Sequence, residues 1–230
     1  MSTFQTPSPV GHRLRGVAAA LVVTTLSACS LLTPKATAPP SFYALDFVAP
    51  ATAPSAPAVT PAGLLTLIVN PVRAASGFDS QRIIYLREPH KMEYFARSEW
   101  VDTPARMLGP LLVSALSQNG GFQAVVMASG SASADLRLDT EIVRLQQEFF
   151  SNPSQVRLTL RAYLVDEKTR RVVAWQEFDQ RVDATADNAQ AGVVAANRAV
   201  HAVVNELAQF VQLMRKPLAP NSPIRPIAIR

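Results

Sequence analysis

The residue with the clearest potential for chemistry is Cys29, because it is the single cysteine of a chain of 230 residues. A disulfide within the chain is therefore excluded. Arg13 and Arg15 lie upstream, and a short apolar run follows them at residues 17–23. A basic segment, an apolar segment and small residues before a cleavage site are the three parts of a secretory signal. The pattern predicts export of the chain and modification of the Cys29 sulfur.

Leu26-Ser27-Ala28-Cys29 resembles the lipobox of bacterial lipoproteins at all four positions. The resemblance implies that the Cys29 thiol takes a diacylglycerol, that cleavage occurs between Ala28 and Cys29, and that the new amine is acylated. The preceding apolar run is too short to span a bilayer, which requires about 20 apolar residues. Several acyl chains would instead anchor the mature chain to a membrane. Residues 1–28 are expected to be a signal peptide that is removed.

The rest of the sequence offers no arrangement of residues typical of an enzyme. Its mature histidines, His90 and His201, lie in a predicted turn and on the polar side of a predicted helix. No pair of histidines has the spacing of metal ligands, and neither a nucleophile elbow nor a phosphate loop is present. Glu141 and Glu148 are the best candidate carboxylate pair, but strand alternation places Glu141 among other charged, solvent-facing side chains. We expect no catalytic residue, metal or cofactor.

The net charge does not indicate a nucleic-acid partner. The formal charge of +5 includes Arg13 and Arg15, and their removal leaves 20 basic and 17 acidic residues, or +3. These residues are spread along the chain without a dense basic run, as on an ordinary solvated surface. Export of the protein also argues against a nucleic-acid partner.

Composition divides the mature chain into three parts. Residues 29–63 are rich in proline and alanine and are predicted to form a lipidated tether, interrupted by one aromatic segment, residues 42–47, that we expect to dock as a short strand. Residues 64–214 are numerous enough to bury the core of a single domain, which export as a lipoprotein would place in the periplasm. Residues 215–230 form a basic, proline-rich tail, and its prolines recur at every third position, which fits one edge of a polyproline II helix.

The domain is predicted to contain strands followed by a helix, then more strands and a second helix. A buried strand is expected at 64–69, a hairpin around 88–91, and a helix that starts at Thr103-Pro104 and stops at 119–121. Gly109-Pro110 predicts a kink in that helix, or a start near Pro110. Further strands are expected at 122–127, 136–142, 156–164 and 171–182, and an apolar stripe from Ala189 to Met214 predicts the last helix.

This order predicts an α+β fold. We expect a two-layer sandwich in which two helices cover one face of a mainly antiparallel or mixed sheet. The other face would be solvent-facing around Arg157, Arg161 and Tyr163. Phe149 and Phe150 lie where two long strands reverse, and adjacent residues of a strand point to opposite faces, so one should be less buried. These five residues are the candidate partner contacts, although the phenylalanines could instead only close the end of the core.

The features in this order resemble the auxiliary lipoproteins of ABC-type transport systems, which are relatives of the paraquat-inducible lipoprotein encoded beside MCE-domain proteins. The resemblance runs from the lipobox to about Met214. Its marks are Phe42-Tyr43-Ala44-Leu45, Glu99-Trp100 before Pro104, the apolar helix, Phe122 at the start of a strand and the alanine-rich last helix. The Gly109-Pro110 pair departs from the pattern of the family.

The resemblance implies a lipid-anchored protein on the periplasmic face of the outer membrane. It would work without catalysis, beside an MCE-domain protein of an ABC transport system that moves lipids between the membranes. Ser30 after the lipidated cysteine, where an aspartate is absent, fits sorting to the outer membrane. The alternatives are an interaction lipoprotein of outer-membrane protein or lipopolysaccharide assembly, and a ligand-binding lipoprotein with a deep pocket. The sequence leaves the oligomeric state open, so a homo-oligomer is compatible with it.

Overall fold

The computed structural model describes residues 39–46, 64–118, 121–128 and 133–215. These residues form one nine-stranded sheet and two α-helices. The strands are β1 (Ser41–Tyr43), β2 (Thr66–Val69), β3 (Arg73–Ala74), β4 (Arg82–Leu86), β5 (Glu93–Trp100), β6 (Ala124–Met127), β7 (Leu136–Glu148), β8 (Gln155–Asp166) and β9 (Val172–Asp183). The helices are α1 (Pro104–Gln118) and α2 (Ala189–Arg215).

The long strand β7 lies at the centre of the sheet. Strand β8 pairs with one edge of β7 in the antiparallel sense, and β9 pairs with β8 in the same sense. Three short strands, β2, β3 and β4, share the other edge of β7 and run parallel to it. Strand β6 extends the sheet beside β2, while β5 and then β1 extend it beside β4. The sheet is therefore mixed, with its longest ladders antiparallel.

One face of the sheet is closed by both helices. Along β8, alternate side chains from Val156 to Leu164 are buried, as expected of a strand with one face in the core. Helix α2 packs against β8 and β9, α1 packs against β6 and β2, and the two helices contact each other. Phe178 of β9 meets Phe210 of α2 edge to face, with their ring centroids 6.0 Å apart. This arrangement confirms the predicted α+β sandwich.

Helix α1 begins as predicted but continues through its internal proline. The Thr103 hydroxyl accepts a hydrogen bond from the Arg106 amide at 3.4 Å, and Pro104 is the first helical residue. Pro110 cannot donate to the Arg106 carbonyl, but both residues lie on the exposed side of the helix, where water can replace that bond. The alternative that the helix starts near Pro110 is wrong.

Helix α2 buries the predicted stripe with one exception. Val200, Val203 and Leu207 are at most 1% exposed. Met214, which was assigned to the same stripe, is 38% exposed. The assignment of Met214 to the buried stripe is wrong, because in the last turn of α2 this position is no longer covered; in the same turn Arg215 lies over the Phe122 ring, 5.6 Å from its centroid.

The aromatic segment that precedes the domain is part of the sheet. Strand β1 pairs parallel with the end of β5, from Ser98 to Trp100, and Leu45 is buried in the core. The end of β5 is thus paired on both sides, with β1 and, through Glu99 and Arg82, with β4. The expectation that this segment docks as a short strand is confirmed.

Candidate functional site: the open face of the sheet

The open face is the surface of β7, β8 and β9 that points away from the two helices. Strand β8 contributes Arg157, Thr159, Arg161 and Tyr163, because its even-numbered neighbours are taken into the core. Opposite them on β9 lie Arg181, Asp179, Glu177 and Trp175, in that order. The open face is therefore a regular array of cross-strand pairs, most of them charged.

Arg157 and Asp179 form the most closely paired group of the open face. The Arg157 Nε atom donates to Asp179 Oδ1 at 2.8 Å, and Nη2 donates to Oδ2 at 3.1 Å, which makes the pair bidentate. The Thr159 hydroxyl also donates to Asp179 Oδ1. The hydrogen bonds from Arg157 hold the pKa of Asp179 below its ordinary value, while those bonds raise the pKa of Arg157. The Arg157 side chain is therefore held in one orientation, toward its neighbour on β9 and parallel to the surface of the sheet.

Arg161 bridges the two neighbouring strands. Its Nη2 atom lies 2.8 Å from Glu177 Oε2 on β9, and its Nη1 atom lies 3.6 Å from Glu141 Oε2 on β7. The hydrogen bond to Glu177 raises the pKa of Arg161. Glu177 keeps 42% of its side chain exposed. The group is thus ordered by its neighbours and still accessible to a charged partner.

Tyr163 closes the array at the far end of β8. Its ring stacks against Trp175, with the ring centroids 6.4 Å apart and an interplanar angle of 27°. Trp175 is 61% exposed, although large aromatic side chains are usually buried. Sequence reasoning proposed Tyr163 but missed Trp175. The strict alternation of β9, which places Trp175 on the same face as Glu177, could have found it.

The β7 side of the open face changes phase along the strand. Leu136 to Ile142 alternate as predicted, but the register then slips by one residue, so that Ile142 pairs with Leu160 and Arg144 pairs with Thr159. Odd-numbered residues face outward before this bulge and even-numbered ones after it. Glu141 and Glu148 therefore lie on the same face, whereas strict alternation would place them on opposite faces. Glu141 contacts Arg161 and Glu148 accepts from Gln146.

The tip between β7 and β8 holds the other two candidate residues. Phe149 is half-buried and meets Tyr85 edge to face, with the centroids 5.6 Å apart. Phe150 is 53% exposed. The expectation that one of the two phenylalanines is less buried is confirmed. About 20 Å of strand separates Arg157, near the tip, from Tyr163, so the five candidates span the face and do not converge on one point.

A strap, residues 44–46, ties β1 to α2. Asn197 accepts a hydrogen bond from the Asp46 amide at 2.9 Å and donates to the Ala44 carbonyl at 3.2 Å. The Nε2 atom of His201 lies 3.0 Å from the Asp46 carbonyl oxygen. His201 is half-buried and contacts the strap from the polar side of α2, where the sequence placed it. Contacts between residues about 150 positions apart leave no local signal in a sequence.

The described residues do not form a metal site or a membrane-spanning helix. No three side chains of His, Cys, Asp or Glu among them are grouped so that they could hold a metal ion. None of the helices in this part of the chain has both the length and the apolar character needed to cross a membrane.

Two cavities test whether the fold could hold a ligand. A partly open space of about 10 Å³ beside Gln147 and Gly192 has room for roughly one water molecule. An open cleft of about 460 Å³, at the gap between β2 and β3, is lined by Asn70, Pro71, Arg73, Asp139 and Thr140. Four of these five residues have polar or charged side chains, whereas small-molecule sites are lined mostly by hydrophobic and aromatic side chains. Neither space is the deep apolar pocket that the ligand-binding alternative requires.

Several sequence predictions lie outside the described residues. They are the signal peptide with its cleavage site at Ala28 and Cys29, the tether apart from residues 39–46, and the tail beyond Arg215.

The described residues form an α+β domain with an ordered polar surface on one face of its sheet and an exposed aromatic residue at the tip between β7 and β8. The family model described as the ABC-type transport auxiliary lipoprotein component matches residues 43–208, and the chain belongs to this family. No curated protein sequence matches the chain.

Two crystal structures share the fold. Protein XCC0632 from Xanthomonas campestris is 22% identical, with a TM-score of 0.65 over 76% of this chain and 95% of that chain. A second, described as an uncharacterized protein, is 14% identical, with a TM-score of 0.58 over 75% of this chain and 99% of that chain. At these identities the likeness shows the fold alone.

Proposed function

We propose that this protein is the non-catalytic auxiliary lipoprotein of an MCE-type ABC transport system that moves lipids between the membranes. The family match over residues 43–208 carries the proposal. The lipobox-like Leu26-Ser27-Ala28-Cys29 lies just upstream of the matched region and supports a lipid anchor on Cys29. Ser30, where an aspartate is absent, supports a place on the periplasmic face of the outer membrane.

The proposed role is contact with an MCE-domain protein. Arg157, Arg161 and Tyr163 are held by lateral partners on the open face, and Phe150 is exposed at the tip. Ordered, partly exposed side chains lose little conformational freedom when a partner binds them, so weak contacts suffice. Anchoring to one membrane also raises the local concentration of the domain for a partner at that membrane.

The anchor would keep the domain close to the membrane. Ser41 is already paired in the sheet, so only residues 30–40 separate it from Cys29. At about 3.1 Å per residue, these eleven residues span at most about 34 Å. The reach is therefore about a third of what a tether ending at residue 63 would allow.

The anchor has its own test. Mass spectrometry of the N-terminal peptide of the mature protein should show Cys29 carrying a diacylglyceryl group and an acylated amine. A mature N-terminus at any other residue would contradict the anchor. Because this experiment does not involve a partner, its outcome is separate from that of the transport proposal.

The partner is tested by affinity capture of the mature domain from solubilised envelopes. We expect an MCE-domain protein to be recovered, and Phe150→Asp to weaken the recovery without unfolding the domain. Val194→Asp is the matched control, because Val194 is 49% exposed but lies on α2, away from the open face. Recovery of outer-membrane protein or lipopolysaccharide assembly components, with no MCE-domain protein, would favour the alternative envelope machine.

A further inference from the structure

One arginine of the open face has no acidic partner. Arg137, Arg157, Arg161 and Arg181 each have a carboxylate oxygen at 2.8–3.6 Å. Arg144 is half-buried, and its side chain makes neither an ion pair nor a hydrogen bond with the described residues. A partly buried charge without a counter-ion is unfavourable, so the domain on its own leaves this arginine unsatisfied.

The bulge in β7 is the reason why Arg144 lies on the open face. Leu138 and Ile142, which precede the bulge at even-numbered positions, point into the core and are at most 1% exposed. Without the extra residue of the bulge, Val143, strand alternation would turn Arg144 into the core as well. Bulges next to functional sites commonly re-aim a side chain in this way.

The nearest side chains across the sheet are also positively charged. Arg144 lies opposite Thr159, and Arg157 and Arg161 are the next residues on the same face of β8. Both of these arginines donate hydrogen bonds to acidic residues of β9, on the side of β8 that is farther from Arg144. The acids of β9 are therefore already engaged, and the centre of the open face carries an excess of positive charge.

The acidic residues of β7 do not compensate Arg144 either. Glu141 lies three positions before it, or about 10 Å along the strand, and contacts Arg161. Glu148 lies four positions after it, or about 13 Å, and accepts a hydrogen bond from Gln146. A counter-ion for Arg144 would thus have to come from outside this part of the chain.

We propose that Arg144 binds a carboxylate of a protein partner, from an aspartate or a glutamate, at the centre of the open face. A partner that covers this surface removes water from it, and an arginine left unpaired there would be strongly unfavourable. A carboxylate that faces the guanidinium can accept two parallel hydrogen bonds, which also fixes the orientation of the partner. Proteins without an acid at this position would be disfavoured.

The flat shape of the surface favours a protein over a small anion. Arg144 lines neither of the two cavities described above. A phosphate ion or a single headgroup on an open sheet would stay in contact with water, where an ion pair contributes little. A protein covers a larger area and excludes water, so the same charge pair becomes stronger.

This inference rests on one part of the proposed function, namely that the open face makes contact with a protein. It does not depend on which protein that is. It adds the chemistry of the contact, because the partner would present an acid to Arg144, whereas Arg157 and Arg161 already have acidic partners within the domain.

Arg144→Lys makes the contact detectable by carbodiimide coupling. The reagent joins a lysine ε-amine to a carboxylate in contact with it, which forms an amide and releases one water. Isolated envelopes that contain the full chain with this substitution are treated, and the coupled peptides are identified by mass spectrometry. We expect an amide between position 144 and an aspartate or glutamate of another protein.

Arg198→Lys is the matched control for the coupling. Arg198 is exposed on α2 and, like Arg144, makes no ion pair with the described residues. We expect no amide from position 198 to the protein that position 144 couples to.

Arg144→Gln measures how much the contact contributes to binding. Affinity capture of the coupled protein should fall at least about tenfold, as when one member of a desolvated charge pair is removed. The melting temperature should not fall, because the guanidinium has no partner within the described domain. Arg198→Gln should leave both the capture and the melting temperature unchanged.

The outcomes separate this inference from the proposed function. Coupling of position 144 only to acids of the same chain, no coupling at all, or equal capture by Arg144→Gln and Arg198→Gln would overturn it. Binding of inorganic phosphate to the mature chain that Arg144→Gln abolishes, without any coupling, would also overturn it in favour of a small anion. Coupling to a protein that has no MCE domain would support this inference and contradict the proposed function.

Discussion

The two faces of strand β8 have opposite roles in the same stretch of chain. Leu158, Leu160 and Leu164 point toward α2 and are at most 1% exposed. Arg157 and Arg161 alternate with them, point away from the helices and are held sideways by acidic residues of neighbouring strands. Burying a leucine contributes roughly 1.5–3 kcal/mol, whereas an exposed ion pair contributes about 0–1 kcal/mol. The closed face therefore contributes most of the stability of the domain, and the open face contributes little.

The largest expected effect comes from a charge placed on the closed face. Val200→Asp or Leu207→Asp should unfold the domain, because an unpaired carboxylate would be buried at a cost of several kcal/mol. Asn205→Asp and Gln209→Asp place the same carboxylate at exposed positions of the same helix, so they should lower the stability of the domain only slightly. Thermal unfolding followed by circular dichroism measures the difference. Equal melting temperatures for the two sets would refute the assigned faces of α2.

The next largest effect is expected when adjacent residues of β8, one on each face of the sheet, are replaced by alanine. Leu160→Ala should destabilise the domain by about 2–5 kcal/mol, since it removes buried methyl groups and leaves a cavity. Arg161→Ala should cost less than about 1 kcal/mol, because its ion pairs are partly solvated. Chemical denaturation at constant pH gives both values. Similar losses would mean that the open face contributes as much to stability as the closed one.

Removing the hydrogen bonds of the strap should lower the free energy of unfolding by an intermediate amount, about 1 kcal/mol. Asn197→Ala removes the hydrogen bonds to Ala44 and Asp46, and a typical hydrogen bond contributes about 0.5–1.5 kcal/mol. Hydrogen exchange should show faster exchange of the Asp46 amide and little change in β8. Uniform acceleration across the whole sheet would contradict a local role for the strap.

The smallest effect depends on pH and belongs to the open face. The pKa of Asp179 is lowered from its ordinary value of 3.8 by Arg157. A lowered pKa in the folded state adds stability above the ordinary value, and this stability is lost as the pH falls through the folded-state pKa. Asp179→Asn should thus cost less than about 1 kcal/mol at neutral pH. The deficit should shrink as the pH falls below about 5 and through 3.8 toward the lower folded-state pKa, and a deficit that stays constant over this fall would contradict the pairing.

Features with a local signal could be predicted from the sequence. Thr103-Pro104 marks a helix start by its own chemistry, and the alternation of β8 reports one buried face within a single strand. The apolar stripe of α2 likewise repeats at helical spacing, up to its last turn. In each case the residues that cause the structure are neighbours along the chain.

Features that depend on distant contacts could not be predicted. The bulge after Ile142 moves Arg144 onto the open face, because register is set by the partner strand and not by β7 alone. Three strands, β2, β3 and β4, share one edge of β7, and this too is decided by contacts between strands that are distant in the sequence. The Asn197 strap likewise became visible only once β1 and α2 were in place. The sequence thus predicted that Arg157, Arg161 and Tyr163 share the face of β8 away from the core, but not which residues of β7 lie beside them.

The central claim, that contact is made through the open face and not through the helices, can be tested directly in cells. A photoreactive amino acid is placed at position 161 on the open face, or at position 205 on the exposed side of α2, and the cross-linked proteins are identified by mass spectrometry. We predict that position 161 captures an MCE-domain protein and that position 205 does not. Equal capture from both positions, or capture of only outer-membrane assembly proteins from position 161, would contradict the account.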